Sequence, residues 1–292
     1  MTAVDAATPA MSLVVSTIGR PALLSRLVRS LVVESATAHF ELIVVDQSDA
    51  GSARAIVEKH ASGFGWQVLT SPRGASRGRN HGLDAARAAV VAFPDDDCWF
   101  PGLTLGRVLK EFAQRPDLAG VTTMLWDAEG RPNMLRWSSN PQSVTLRNYY
   151  RTSIGSTMFV RADRARAVGG FDENVGPGAG TPFGSCEDAD FLLRVAGTGV
   201  VAYRSDLGVH HDRMQATIER SMAEKMYTYG VGQAWFWRRH RYPRAHVGYL
   251  LARKAGKVAV GTVVGRRDEV ASDRAFLRGA IDGLRGRVAA EH

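Results

Sequence analysis

The chain of 292 residues is 45% hydrophobic and 23% charged, with a formal net charge of +8, which suits a globular protein of one large domain plus an appendage. Two cysteines, Cys98 and Cys186, exclude a disulfide framework, and no uninterrupted apolar run approaches the roughly 20 residues that a membrane-spanning helix needs. The charge is uneven: from Arg213 onward there are 16 Lys/Arg against 7 Asp/Glu, whereas residues 1–212 hold 21 against 22. A basic surface for nucleic acid, an anionic membrane or an acidic substrate is therefore expected in the C-terminal quarter.

Residues 1–10 are small and polar and read as a disordered leader. They lack a basic region followed by a long apolar run, so secretion is not expected; the expectation is a cytosolic protein, or one peripheral to the cytosolic face of a membrane. Ser12-Leu13-Val14-Val15-Ser16 then reads as a buried strand, and Pro21 suits the first turn of a helix over residues 22–33, with Leu23, Leu27 and Leu31 on one face. A second strand, residues 41–45, ends in Asp46-Gln47-Ser48-Asp49. A helix over residues 52–60 and a strand over 66–69 follow. The alternation predicts a parallel sheet with helices on both faces, in which ligands lie beyond the carboxyl ends of the strands. Thr17 and Asp46 fall on that edge.

The segment Ser71 to Gly82 holds Arg73, Arg77 and Arg79 among glycines. It reads either as an anion-binding loop before a helix at 83–88 or as a flexible loop of solvated arginines. Next, an apolar run over residues 88–93 ends in Pro94-Asp95-Asp96-Asp97-Cys98-Trp99. Adjacent carboxylates raise one another's pKa unless a cation or donors neutralise them, and hard divalent cations take oxygen ligands of this kind. A solvated acidic turn that caps the next helix is the competing reading.

Helices over 103–112 and 162–168, strands over 120–126 and 156–160, and a loop-rich excursion over 127–150 complete this half. A glycine-rich loop over 176–184 is long enough to move over a ligand. Ser185 is a plausible N-cap for a helix that begins at Glu187-Asp188-Ala189-Asp190, where acidic residues also simply favour the helix dipole. A strand over 200–203 precedes His210-His211. Vicinal histidines point in different directions, so one of the two is expected to face a site.

In their order, Thr17, Val45-Asp46-Gln47-Ser48, Gly74 with Arg79-Asn80-His81-Gly82, Phe93-Pro94-Asp95-Asp96-Asp97, Gly169-Gly170-Phe171-Asp172-Glu173 and Glu187-Asp188-Ala189-Asp190 with Arg194 resemble the family 2 glycosyltransferases of GT-A fold, over residues 11–212. The resemblance implies a Rossmann-like mixed sheet, an inverting transfer and a nucleotide-sugar donor, usually a UDP-, GDP- or dTDP-sugar. It implies a donor-binding set of Thr17, Arg20, Asp46, Gln47, Gly74, Arg79, Asn80, Asp95 and Asp96. Thr17, Asp46 and Gln47 then lie at base and ribose, where many relatives carry Asp in place of Gln47, and Arg79-Asn80 near the diphosphate. Asp95 and Asp97 match the Asp-X-Asp pair, with Mn²⁺ or Mg²⁺ held by Asp97, Asp95 and His210, and His211 as the fallback. Asp96 is expected to point away and cap the turn. Asp188 matches the general base, with Glu187 second. A sugar-phosphate nucleotidyltransferase and a catalytically silent nucleotide-sugar-binding or scaffold protein are the alternatives.

Residues 215–292 are expected to form a basic helical extension beyond the catalytic domain of residues 11–214. Its tryptophans, aliphatics and arginines fit a helix in an anionic membrane interface near a glycan or lipid-linked acceptor, or helices whose apolar faces pack on the domain. No nucleic-acid partner is expected, because no recognised module for one is present.

Overall fold

The computed structural model describes residues 8–212 and 220–288. The expected leader over 1–10 falls largely outside them. The chain divides into two compact units. The first comprises Met1–Arg73, Arg77–Phe171 and Phe191–Met214; the second comprises Gly74–Ser76, Asp172–Asp190 and Gln215–His292. The chain thus leaves the first unit twice before its C-terminal helices.

The first unit is built on one mixed sheet. In chain order the elements up to residue 211 are β1 (Met11–Thr17), α1 (Pro21–Glu34), β2 (Phe40–Asp46), α2 (Ala53–His60), β3 (Gly65–Thr70), α3 (Ala75–Ala85), β4 (Val90–Ala92), β5 (Cys98–Trp99), α4 (Thr104–Gln114), β6 (Leu118–Trp126), β7 (Gln142–Ser143), β8 (Met158–Arg161), α5 (Ala162–Ala167), α6 (Glu187–Ala196) and β9 (Val200–His211), the first residues of α3 and α6 belonging to the second unit. The strand order is β3-β2-β1-β4-β8-β6-β9-β5, with β7 on β9. From β3 to β4 all pairings are parallel, while β8 runs antiparallel to both β4 and β6. β2 is buried throughout and β1 nearly so, which is why both read as unbroken apolar runs instead of alternating ones. Their register pairs Thr17 with Asp46, so both side chains sit at the carboxyl edge.

Beyond residue 74 the Arg-Gly segment is not a loop. It forms α3, which starts eight residues earlier than the helix that the sequence pattern places at 83–88. The glycines explain the difference. A Cβ at Gly82 would run into the Val14 side chain and one at Gly78 into Ser16 and Gln47, so their absence lets α3 lie directly against β1. This close approach fixes the position of Arg79 between the two glycines.

A second device is Glu34, fully buried at the end of α1. Its carboxylate accepts from the backbone N–H of Thr104 at 3.1 Å and of Leu105 at 2.9 Å, capping α4 from a distance. Local caps are not used there, since the residue before α4, Leu103, stands at φ 69°.

In the second unit, α7 (Arg220–Arg239) and α9 (Arg267–Leu284) pack closely, and α8 (Arg244–Val263) packs on α9. Gly230, Gly279 and Gly283 leave no room for a Cβ between α7 and α9. The buried side chains there include Val231, Ala234, Phe236, Trp237, Val270 and Ala280. By contrast Tyr249, Val260 and Val263 of α8 remain exposed. No helix among the described residues is long and apolar enough to cross a membrane.

Candidate active site

The acidic triplet lies between β4 and β5, and its three carboxylates do different things. Asp96 is fully buried. It accepts from Thr17 Oγ1 at 2.6 Å and from the Arg20 guanidinium at both oxygens. It is the brace of the turn, joining β1 and the start of α1 to the triplet. Asp95 keeps 41% of its side chain open and pairs with Arg79 Nη2 at 3.1 Å. Burial against the surrounding protein raises its pKa, with Arg79 opposing and Asp97 reinforcing that rise.

Asp97 is the most strongly polarised of the three. Burial alone would raise its pKa, but His211 and Arg20 outweigh it and hold the carboxyl at about 2. Arg20 Nη1 donates to Asp97 Oδ2 at 2.6 Å. Asp97 Oδ1 is buried without a hydrogen bond of regular geometry and lies 3.2 Å from His211 Nε2. The same contact raises the pKa of His211 against the opposing effect of its burial.

Of the two histidines, the structure therefore brings His211, the fallback, to the triplet, and not His210, which the resemblance implies. The reason is strand alternation. β5 pairs antiparallel with β9 so that Cys98 faces His211 and Trp99 faces His210. Directly paired residues share a face of the sheet. His210 accordingly stacks on Trp99 with ring centroids 5.3 Å apart, packs edge-on to Trp126, and its Nδ1 lies 2.7 Å from the Asp127 carbonyl.

A divalent cation fits this donor set. Ligand atoms of Asp95, Asp97 and Cys98 lie within 4.8 Å of one another. The under-satisfied Oδ1 of Asp97 is a carboxylate oxygen of the kind that Mg²⁺ and Mn²⁺ prefer. Cys98 is a poor member of the set: burial, with the charges of Asp95 and Asp97, pushes its thiol well above the ordinary range, so it stays protonated. Asp95 and Asp97 are the members of this group whose donors suit such an ion, and His211 lies beside Asp97.

The remaining donor-set residues are held by their own chain. Asp46 accepts from Ser48 N at 2.9 Å, Ser48 Oγ at 2.6 Å and Ala53 N at 3.1 Å, which anchors the start of α2. Gln47 Nε2 donates to Ser71 Oγ at 2.9 Å and to the Pro72 carbonyl at 2.6 Å. Asn80 clasps the backbone of Phe171 through both ends of its amide, at 2.9 and 2.8 Å, making it a clamp between α3 and the Gly169-Gly170-Phe171 turn. Gly170, at φ 66°, approaches that amide too closely for a Cβ. Beneath the triplet Phe93 meets Phe171 and Phe191 edge-on, and the last two stack 4.0 Å apart. They bracket the excursion of residues 172–190.

In the second unit, which holds that excursion, Gly74 stands at φ 136° and is followed by two ties to the glycine-rich loop. Ala75 N donates to the Pro177 carbonyl at 2.9 Å and Ser76 Oγ to the Val175 carbonyl at 2.7 Å. Glu187 is buried, and its carboxyl carbon would lie 2.7 Å from a Cβ at Gly176, where φ is 103°. Asp188 is half-buried, and one of its oxygens accepts from Ala189 N at 2.7 Å. Ser185 is not the N-cap. Cys186 occupies that place with φ 76°, and Ser185 Oγ instead donates to the Tyr229 carbonyl at 3.0 Å.

Comparison with known proteins decides the family. The model of glycosyl transferase family 2 matches residues 12–166, more than half of the chain. The chain belongs to glycosyl transferase family 2. Solved structures of similar fold include Staphylococcal (S. aureus) TarS 1-349, with a TM-score of 0.59 at 16% identity, covering 94% of this chain and 91% of that one. The mannosyltransferase PcManGT from Pyrobaculum calidifontis, in complex with GDP-Man and Mn²⁺, aligns with a TM-score of 0.60 at 14% identity, over 96% of this chain and 88% of that one. TarS 1-349 in complex with UDP-GlcNAc aligns at 0.59 and 16% identity, over 94% and 92%. No match to a curated protein sequence was found. The expected family and GT-A fold are thereby borne out. For this family 2 chain, two placements were out of reach of the sequence pattern: His211 at Asp97, and Arg20 across Asp96 and Asp97. Strand pairing of His210-His211 with Cys98-Trp99 is the signal that separates the histidines, and it exists only in the folded sheet.

Proposed function

We propose that this family 2 glycosyltransferase is metal-dependent and inverting, and transfers a sugar from a nucleoside-diphosphate sugar to an acceptor hydroxyl. The observation that carries the reading is the grouping of Asp95 and Asp97 ligand atoms within 4.8 Å, with His211 Nε2 3.2 Å from the under-satisfied Asp97 Oδ1. Mn²⁺ or Mg²⁺ held there by Asp97, Asp95 and His211 would supply Lewis-acid stabilisation of the diphosphate. Arg79, held by Asp95, and Arg20 add positive charge where the leaving group develops negative charge. Thr17, Asp46 and Gln47 are the proposed base and ribose contacts, and Asp46 and Gln47 are held by hydrogen bonds with Ser48 and Ser71.

Asp188 is the proposed general base. It takes the proton of the acceptor hydroxyl as that oxygen bonds to the anomeric carbon and the bond to the nucleoside diphosphate breaks, a single displacement that inverts the anomeric centre. Its half-exposure favours it over Glu187, whose carboxyl is buried against Gly176. The acceptor is a glycan, lipid-linked or small-molecule hydroxyl. An anionic membrane surface is the proposed partner of α8 and the turn that follows it, where Tyr249, Val260 and Val263 are exposed, as are Arg253, Lys257, Arg266 and Arg267. Cosedimentation with anionic and with neutral liposomes tests that partner: equal binding of the wild type and an Arg266→Glu/Arg267→Glu variant would remove it.

The deciding experiment on the activity is a panel of UDP-, GDP- and dTDP-sugars with Mn²⁺ or Mg²⁺, read by thermal shift and donor hydrolysis. Binding of one class only when the ion is present is expected, and no binding to any of them would overturn the proposal. Asp188→Asn is expected to keep donor binding and lose transfer.

A further inference from the structure

The second unit holds a connection that the donor site does not explain. Asp190 follows the proposed base by two residues on α6 and its side chain is fully buried. Its Oδ1 accepts from Nε of Arg239, the last residue of α7, at 2.7 Å and lies 2.9 Å from Nε2 of His240, the next residue. Arg239 also reaches toward Asp172 Oδ2, at 4.0 Å. A buried carboxylate with charge-assisted donors is a strong anchor, because neither partner can leave without stranding the other.

Two more contacts link α7 to the same stretch of chain. Gly184 N donates to the Thr228 carbonyl at 3.1 Å, and Ser185 Oγ donates to the Tyr229 carbonyl at 3.0 Å. A Cβ at Gly232 would meet the Ser185 carbonyl oxygen at 2.6 Å and nitrogen at 2.8 Å, so α7 lies flat on the backbone there. Between these fixed points the chain turns through Cys186, a non-glycine residue at φ 76°. Such a backbone persists only where its surroundings over-determine it. Glu187 and Asp188 follow directly.

We infer that Arg239 and His240 are positioning residues for transfer, acting through Asp190, and that α7 is the cradle which sets the Glu187-Asp188 pair. The inference rests on the assignment of Asp188 as base. It makes the C-terminal helices part of the transfer machinery in addition to any surface they present. Removing them would release the base-bearing segment.

The test uses the full-length protein. Arg239→Ala and His240→Ala are compared with Arg239→Lys and His240→Gln, which retain a donor toward Asp190. Readouts are kcat, the KM for the nucleotide-sugar, and nucleoside-diphosphate binding with Mn²⁺ to count folded sites. A misplacement on the ångström scale costs up to roughly 100-fold in rate. The expected result is a fall in kcat per folded site of roughly 10–100-fold in the alanine variants, unchanged nucleoside-diphosphate affinity, and partial recovery in the conservative variants. A normal kcat per folded site in Arg239→Ala, or a loss confined to donor KM, would overturn the inference. Asp188→Asn separates the two readings: if it transfers normally, the base assignment fails. If it is inactive while Arg239→Ala and His240→Ala are fully active, only the positioning role fails.

Discussion

His211 Nε2 lies 3.2 Å from Asp97 Oδ1, while its neighbour His210 is turned to the opposite side of the strand, stacked on Trp99. The two histidines are consequently expected to differ when replaced. His211→Ala should weaken Mn²⁺-dependent donor binding at least roughly tenfold. His210→Ala should leave that binding intact and lower stability, by about 1–3 kcal/mol, through the lost stacking on Trp99 and contact with Asp127. Calorimetric titration with a nucleoside diphosphate, alongside urea unfolding, reads both. Equal loss of metal-dependent binding in the two variants would contradict the placement.

Arg20 occupies Asp97 Oδ2 and so competes with any cation for that carboxylate. Arg20→Met should therefore bind Mn²⁺ alone more tightly than the wild type. It should also destabilise the metal-free protein by about 1–3 kcal/mol, the cost of an under-paired buried Asp96, a figure kept low because Arg20 is 41% exposed. Mn²⁺ titration and unfolding with chelator present check the two effects. Weaker Mn²⁺ binding in Arg20→Met would mean that Arg20 assists the ion.

The close packing of α3 on β1 predicts a cost for any side chain at Gly82. Gly82→Val should destabilise by about 1–3 kcal/mol or more, since Val14 has nowhere to move in a sheet interior. Gly82→Val with a compensating Val14→Ala should recover part of the loss. The measurement is the urea midpoint of each variant at constant m-value. No recovery in the double variant would point to backbone, and not side-chain, conflict.

Asp273 of α9 pairs with Lys254 at 2.5 Å and Lys257 at 3.0 Å on α8. Burial opposes its ionisation, but the two lysines prevail and lower its pKa below the ordinary 3.8. A carboxyl with a depressed folded-state pKa contributes stability above its unfolded pKa and loses it as pH falls through the folded value. Asp273→Asn should thus lower the melting temperature at neutral pH, and the gap to the wild type should close as pH drops below 3.8. A gap that stays constant with pH would assign the loss to packing.

Much of this was legible in the residues. Unbroken apolar runs at β1 and β2 announced a parallel sheet because strands covered on both faces need no polar alternation. Asp95 to Asp97 after such a run announced uncompensated charge at a sheet edge, whatever the fold beyond. The Arg-Gly segment was harder. Its glycines suggest a loop by propensity, yet they serve a helix that must touch β1, and propensity yields to tertiary packing where close approach is required.

By itself, then, the sequence determined the family, the sheet and the carboxylates that bear the charge, since each depends on local pattern or on which side chains exist. Tertiary structure decided the division of labour. Which of Asp95, Asp96 and Asp97 is left with an under-satisfied oxygen depends on where Thr17, Arg20, Arg79 and His211 end up, all distant in the chain. Which histidine joins them is set by the register of a two-residue strand, where a shift of one position would exchange the faces of His210 and His211.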